Sequence, residues 1–172
     1  VPCRIFSWMI IKDGLANMDN IMIMIFCSAL IFLSMIDIRI YQLPDIITQP
    51  LLWIGLVFNS SENLVSIKSA IYGAISGYLF LWLLNRVCRY TLKKEGIGYG
   101  DLKLTAAIGA WLGMETIPVL MLLSSTSGLF GFMIVWFKRK TYPDFIAFGP
   151  YICLSAIVLM GFRVSGINIM GI

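Results

Sequence analysis

The sequence predicts an all-α, polytopic integral membrane protein of about six transmembrane helices. Three observations carry that prediction. Of 172 residues, 59% are hydrophobic and only 13% are charged, against about 45–50% and about 25% in an average soluble domain. The mean hydropathy is +0.89, more apolar surface than a soluble globule of this size can hide. At about 20 residues per crossing, roughly a hundred apolar residues supply about five or six spans. They also fall in runs, without the alternation of a membrane barrel. This composition excludes a secreted disulfide scaffold, a disordered tail and a nucleic-acid module.

The runs lie at about 21–36, 46–58, 65–88, 102–113, 117–137 and 145–162. Residues 1–20 form a short N-terminal segment without a signal-peptide cleavage site. Val1 in place of Met leaves a fragment, a processed form and an alternative start all open. Residues 21–172 read as one membrane-embedded domain. The first run ends at Asp37. The second opens after Pro44, where Asp45 is expected to cap the helix. The third and fourth carry Gly73-x-x-x-Gly77 and Gly109-x-x-x-Gly113, spacings that let helix backbones approach closely. The fifth lies between the turn Met114-Glu115-Thr116 and the basic run Lys138-Arg139-Lys140. The sixth contains Pro150, which should disrupt it locally.

Charge sets the expected orientation. If the 37–45 loop is cytoplasmic, so are the 86–101 and 138–144 loops. These loops and their edges hold Arg39, Arg86, Arg89, Lys93, Lys94, Lys103, Lys138, Arg139 and Lys140, while Arg4, Lys12, Lys68 and Arg163 fall on the other side. The positive-inside rule then puts both termini outside. The net charge of +4 thus reads as a topology signal rather than a nucleic-acid footprint.

The side-chain inventory narrows the chemistry. There is no His, so His metal sites and His-based triads are excluded. Cys3, Cys27, Cys88 and Cys153 form no CxxC pair, so no zinc site is expected. No cofactor is implied, and the last three cysteines are expected to face lipid or core. No Lys sits in the interior of a span, which makes a Ser-Lys peptidase a poor fit.

The acids sort by location. Asp13, Asp19, Glu62 and Glu115 fall in outer segments or turns and are expected to be solvated. Asp144, after Pro143, reads as a cap, and Glu95 as a solvated loop residue. Asp37 closes an apolar run, where an acid is costly unless solvated, paired or used. Its plain alternative is an interfacial acid beside Arg39. Asp101 follows Gly96-Ile97-Gly98-Tyr99-Gly100, and its plain alternative is a helix N-cap. Those glycines permit close approach of another segment, here expected to be the one bearing Asp37. A phosphate loop is excluded, because the strand-turn-helix context and the Gly-Lys-Ser/Thr ending are missing. Asp37 and Asp101 therefore form the sharpest constellation. Brought together in a low dielectric they cannot both ionise easily. A pair sharing one proton can activate water with its carboxylate and protonate with its acid.

These residues resemble the bacterial type IV prepilin peptidases, membrane aspartic peptidases with a Gly-x-Gly-Asp signature. It stands here as Gly98-Tyr99-Gly100-Asp101, followed by Leu102-Lys103-Leu104. The first family aspartate matches Asp37 in the stretch from Ile36 to Asp45. Gly109-Ala110-Trp111-Leu112-Gly113 and Phe148-Gly149-Pro150-Tyr151 are also similar, so the likeness runs from about Ile21 to Met160. The resemblance implies an endopeptidase with Asp37 and Asp101 as catalytic residues and Gly98 and Gly100 in an active-site loop. It implies removal of the basic leader from type IV prepilins or type II secretion pseudopilins, at the cytoplasmic face of the inner membrane.

Many members also carry a cytoplasmic domain with paired CxxC motifs and methylate the new N-terminus. Here about 20 residues precede the first clear span and Cys3 stands alone, so the likeness carries proteolysis and not methylation. Ala147 stands where the family often has Pro. The expected partners are pilin-type substrates and membrane lipid, with no nucleic acid, and no oligomeric state follows from the sequence. The rival readings are a Gly-x-Gly-Asp protease of other substrates, a small transporter or secretion-channel subunit whose acids bind protons or cations, and an inactive truncated peptidase.

Overall fold

The computed structural model describes residues 2–40, 42–92, 98–139 and 148–164. Glu95 and Asp144 lie outside these residues. Among the described residues six helices follow in order: α1 (Pro2–Ile40), α2 (Asp45–Asn59), α3 (Ile67–Leu92), α4 (Tyr99–Leu112), α5 (Thr116–Arg139) and α6 (Gly149–Val164). The expected polytopic helical architecture is the one the chain adopts.

α1 starts at Pro2 rather than near Ile21. Pro is tolerated in a first helical turn, and Gly14 is the single weak helix former before the apolar run, at a cost of about 1 kcal/mol. Asp19–Ile40, Ile67–Thr91 and Thr116–Ile134 are long and apolar enough to cross a bilayer. α2, α4 and α6 have 15, 14 and 16 residues. At about 1.5 Å per residue they fall short of a hydrocarbon core about 30 Å thick. α4 need not match the lipid, because its neighbours wrap it: Asp101, Leu102 and every residue from Leu104 to Leu112 are buried. Large apolar side chains on the outer helices, among them Met24, Phe32, Trp53 and Leu129, point outward instead.

α3 packs against α4 in the antiparallel sense, through the small residues singled out in the sequence. A Cβ on Gly73 would collide with the Gly109 carbonyl, and one on Gly109 with the Gly73 carbonyl. A Cβ on Gly77 would stand 2.9 Å from the Thr105 carbonyl oxygen. The backbones are therefore in direct contact, as the glycine spacing predicts.

The C-terminal end of α4 is closed by side chains from other helices. Asn59, fully buried, donates to the carbonyls of Ala110 (2.8 Å) and Trp111 (3.2 Å). Its Oδ1 accepts from the main-chain N–H groups of Leu64 and Val65, each at 3.2 Å. Arg163 donates to the Leu112 carbonyl at 2.8 Å. These bonds satisfy carbonyls that a helix end leaves unpaired. Trp111 donates from Nε1 to the Leu51 carbonyl at 2.9 Å and packs its ring on Phe26 and Phe58. Successive helices alternate in direction, so Asp37, Asp45, Asp101, Arg39, Arg86, Arg89 and Lys103 collect at the other end of the bundle.

Candidate active site

Asp101 is the third residue of α4. Gly98 precedes the helix in an extended conformation (φ −66°, ψ 142°), and the Asp101 N–H donates to the Gly98 carbonyl at 3.1 Å. The cap position considered for Asp101 thus belongs to Gly98. Asp101 lies in the first turn, where the helix dipole favours a negative group. Asp45 also departs from its expected capping role. Pro44 occupies the cap position and no side chain caps α2. Asp45 instead pairs with Lys103 at 2.6 Å, tying the first turns of α2 and α4 together.

Asp37 lies in the last turn of α1. Its carboxylate accepts a hydrogen bond from the main-chain N–H of Gly149, the first residue of α6. A helix N-terminus is a natural anion site, with unpaired N–H groups and a favourable dipole. Pro150 follows within that first turn, where its missing N–H costs no helix bond. It helps to start α6 rather than disrupting it, contrary to expectation. Cys153 lies one turn further along the same face of α6, buried and within electrostatic reach of both Asp37 and Asp101.

Asp37 and Asp101 are 5% and 7% exposed and lie close enough for their charges to influence one another. Asp is almost never buried this far without a partner or a use. The two expected catalytic residues, far apart in sequence, are therefore brought into one buried site by α1, α4 and α6.

The glycines around the pair differ in what they do. A Cβ on Gly149 would stand 2.5 Å from Oδ2 of Asp37. A Cβ on Gly100 would meet Leu43, 2.8 Å from its Cβ and 3.2 Å from its Cδ1, and the same Cδ1 would lie 3.3 Å from a Cβ on Gly149. Leu43 thus fills the space between the starts of α4 and α6. Gly98 is open, with an added Cβ in ordinary contact with Asp101 at 3.7 Å. It is a Cβ on Gly149 that would meet Asp37, while Gly100 accommodates Leu43. Sequence reasoning assigned no role to Gly149 or Leu43, and expected of Cys153 only that it face lipid or core. The available signal was the Phe148-Gly149-Pro150-Tyr151 stretch.

Two buried carboxylates, one held by a fixed amide donor, can share a proton, activate a water and protonate a leaving group. Fold and site together define a polytopic helical membrane protein with a buried carboxylate pair at one end of its bundle. Residues 24–134 match the type IV leader peptidase family, and the chain belongs to that family. The match contains both aspartates, with Gly149 and Cys153 beyond it. The chain is 45% identical over 139 residues to the prepilin leader peptidase/N-methyltransferase of Escherichia coli (strain K12), covering 80% of this chain and 60% of that one. It is 41% identical over 148 residues to the protein of that name from Pectobacterium carotovorum subsp. carotovorum, covering 85% and 52%. For the Burkholderia pseudomallei (strain 1026b) protein the figures are 41% over 137 residues, 79% and 44%. The chain spans about half the length of the curated relatives it matches. No solved structure matches it.

Proposed function

We propose that this chain is a membrane aspartic endopeptidase with Asp37 and Asp101 as its catalytic pair. Its substrates are type IV prepilins or type II secretion pseudopilins, from which it removes the basic leader. The observation that carries this reading is the convergence of two buried carboxylates from α1 and α4 at the basic end of the bundle. The names of the relatives, prepilin leader peptidase, supply the substrate class.

In the proposed reaction one carboxylate takes a proton from water as the water attacks the scissile carbonyl. The other, protonated, donates to the departing amine. The pair titrates as a unit, so the roles are assigned to the pair and not to either residue. The Gly149 N–H holds the Asp37 carboxylate in place throughout. The protein lies in the bacterial inner membrane with its aspartate end toward the cytoplasm. That orientation matches Arg39, Arg86, Arg89 and Lys103 at that end and lets a substrate helix present its leader while embedded in lipid.

Co-expression with a prepilin, followed by intact mass and N-terminal sequencing of the product, tests the reading. The expected product lacks its leader and begins at the hydrophobic stretch. The same spectrum reports whether the new N-terminus is methylated. Uncut prepilin, with an ion flux that disappears when either aspartate is replaced, supports the transporter reading instead.

A further inference from the structure

The buried stripe of α3 ends on a residue that does not match the rest of it. Gly73, Gly77, Leu81 and Asn85 recur every fourth residue and are all buried. Gly73 and Gly77 lie on α4 at Gly109 and Thr105. One more step of four along both helices puts Leu81 level with Asp101. Asn85 then falls one turn further out, about 6 Å beyond the level of Asp101, at the end of the bundle that holds the site. Beside it Arg89 lies over the ring of Tyr99, 5.6 Å from the centroid, within the Gly-x-Gly-Asp signature.

Asn85 is 4% exposed, and its Oδ1 has no hydrogen-bond partner among the described residues. A leucine there would continue the stripe at no polar cost. An amide oxygen left unpaired costs about 1–3 kcal/mol, and such groups in native proteins call for a reason. We propose that Asn85 is a substrate-binding residue whose Oδ1 accepts a main-chain N–H of the peptide being cleaved, on the leader side of the scissile bond. This rests on the peptidase reading above. The group is an acceptor, and a peptide drawn to the aspartates brings N–H groups that must be paired once water is excluded. An extended chain advances about 3.3 Å per residue, so the N–H that reaches Asn85 lies about two residues from the scissile bond.

The test uses the full chain in vesicles and a synthetic prepilin peptide. In the peptide, each of the last three leader-side main-chain N–H groups is replaced in turn by an ester oxygen. KM and kcat are measured for the wild type and for Asn85→Leu and Asn85→Ala. With the wild type, one ester, about two residues from the cut, raises KM about tenfold, the scale of one lost hydrogen bond. Asn85→Leu raises KM of the all-amide peptide by a similar factor with kcat within about threefold, and the ester then adds nothing. The assignment is overturned if Asn85→Leu cleaves with unchanged KM, or if the ester penalty is the same in wild type and variant. It is also overturned if neither variant accumulates as folded protein, since Asn85 is then needed for the fold. If the wild type fails to cut the all-amide peptide, the peptidase reading falls first and this one with it.

Discussion

The Asp37 carboxylate accepts a hydrogen bond from the main-chain N–H of Gly149, so the end of α1 holds the start of α6. A side-chain donor could swing away, whereas a main-chain N–H at a helix start is fixed by the helix itself. The contact leaves no room for a β-carbon on Gly149.

Gly149→Ala should therefore displace Asp37 from Asp101. A misplacement of about 1 Å can cost a catalytic site about a hundredfold in rate, and that is the loss expected in prepilin cleavage. Immunoblotting of the membrane fraction should show protein within about twofold of wild type, because the clash is confined to the end of one helix. Normal turnover in Gly149→Ala would show that this contact is not needed.

Gly100 faces Leu43, and the two should behave as a coupled pair. Gly100→Val places carbon where Leu43 Cβ already stands, 2.8 Å from the new Cβ. Activity should fall by about tenfold or more while protein level changes less. Leu43→Ala in the same chain should recover part of the loss, a non-additivity expected only of residues in contact. Strictly additive effects in a four-member kinetic series would argue against the contact.

Asn59 sits at the opposite end and should matter for stability alone. Its side chain serves two carbonyls of α4 and two N–H groups of the α2–α3 turn. Asn59→Ala strands these four groups and should lower stability by about 4 kcal/mol or more, given about 1–3 kcal/mol for each buried group left without a partner. Denaturant or thermal unfolding in detergent checks this. Turnover per folded molecule should stay at the wild-type value.

The Asp45–Lys103 pair should matter little to either stability or turnover. It lies close to the site, yet the side chains are 58% and 31% exposed. Pairs of this kind contribute no more than about 1 kcal/mol. Lys103→Ala should change unfolding by less than that and cleavage by no more than a few-fold. A larger effect on cleavage, with stability unchanged, would give the pair a direct part in substrate binding.

What could be read from the sequence follows the physics of each feature. The six apolar runs and the α3–α4 glycine contact are set by local composition and spacing, and both were legible. Asp37 and Asp101 stood out because a carboxylate at the edge of an apolar run has few inexpensive reasons to be there. The start of α1 was hidden because residues 2–20 mix apolar residues with charged ones and form no long apolar run of their own. The roles of Asp45 and Pro150 were misread because capping depends on where a helix begins, to within a single residue. Leu43, Gly149 and Cys153 each take their meaning from neighbours distant in the sequence. Ordinary apolar or small residues carry no trace of such neighbours in one sequence.

The central claim is that Asp37 and Asp101 together do the chemistry. The most direct measurement is cleavage of a purified prepilin by Asp37→Asn and by Asp101→Asn in lipid vesicles, each matched to wild type for folded, inserted protein. Asn keeps the size of the side chain and removes its charge and its exchangeable acid proton. Both variants should insert normally and yield no detectable mature pilin under conditions where the wild type converts all of it. Mature pilin produced at a substantial fraction of the wild-type rate by either variant refutes the assignment.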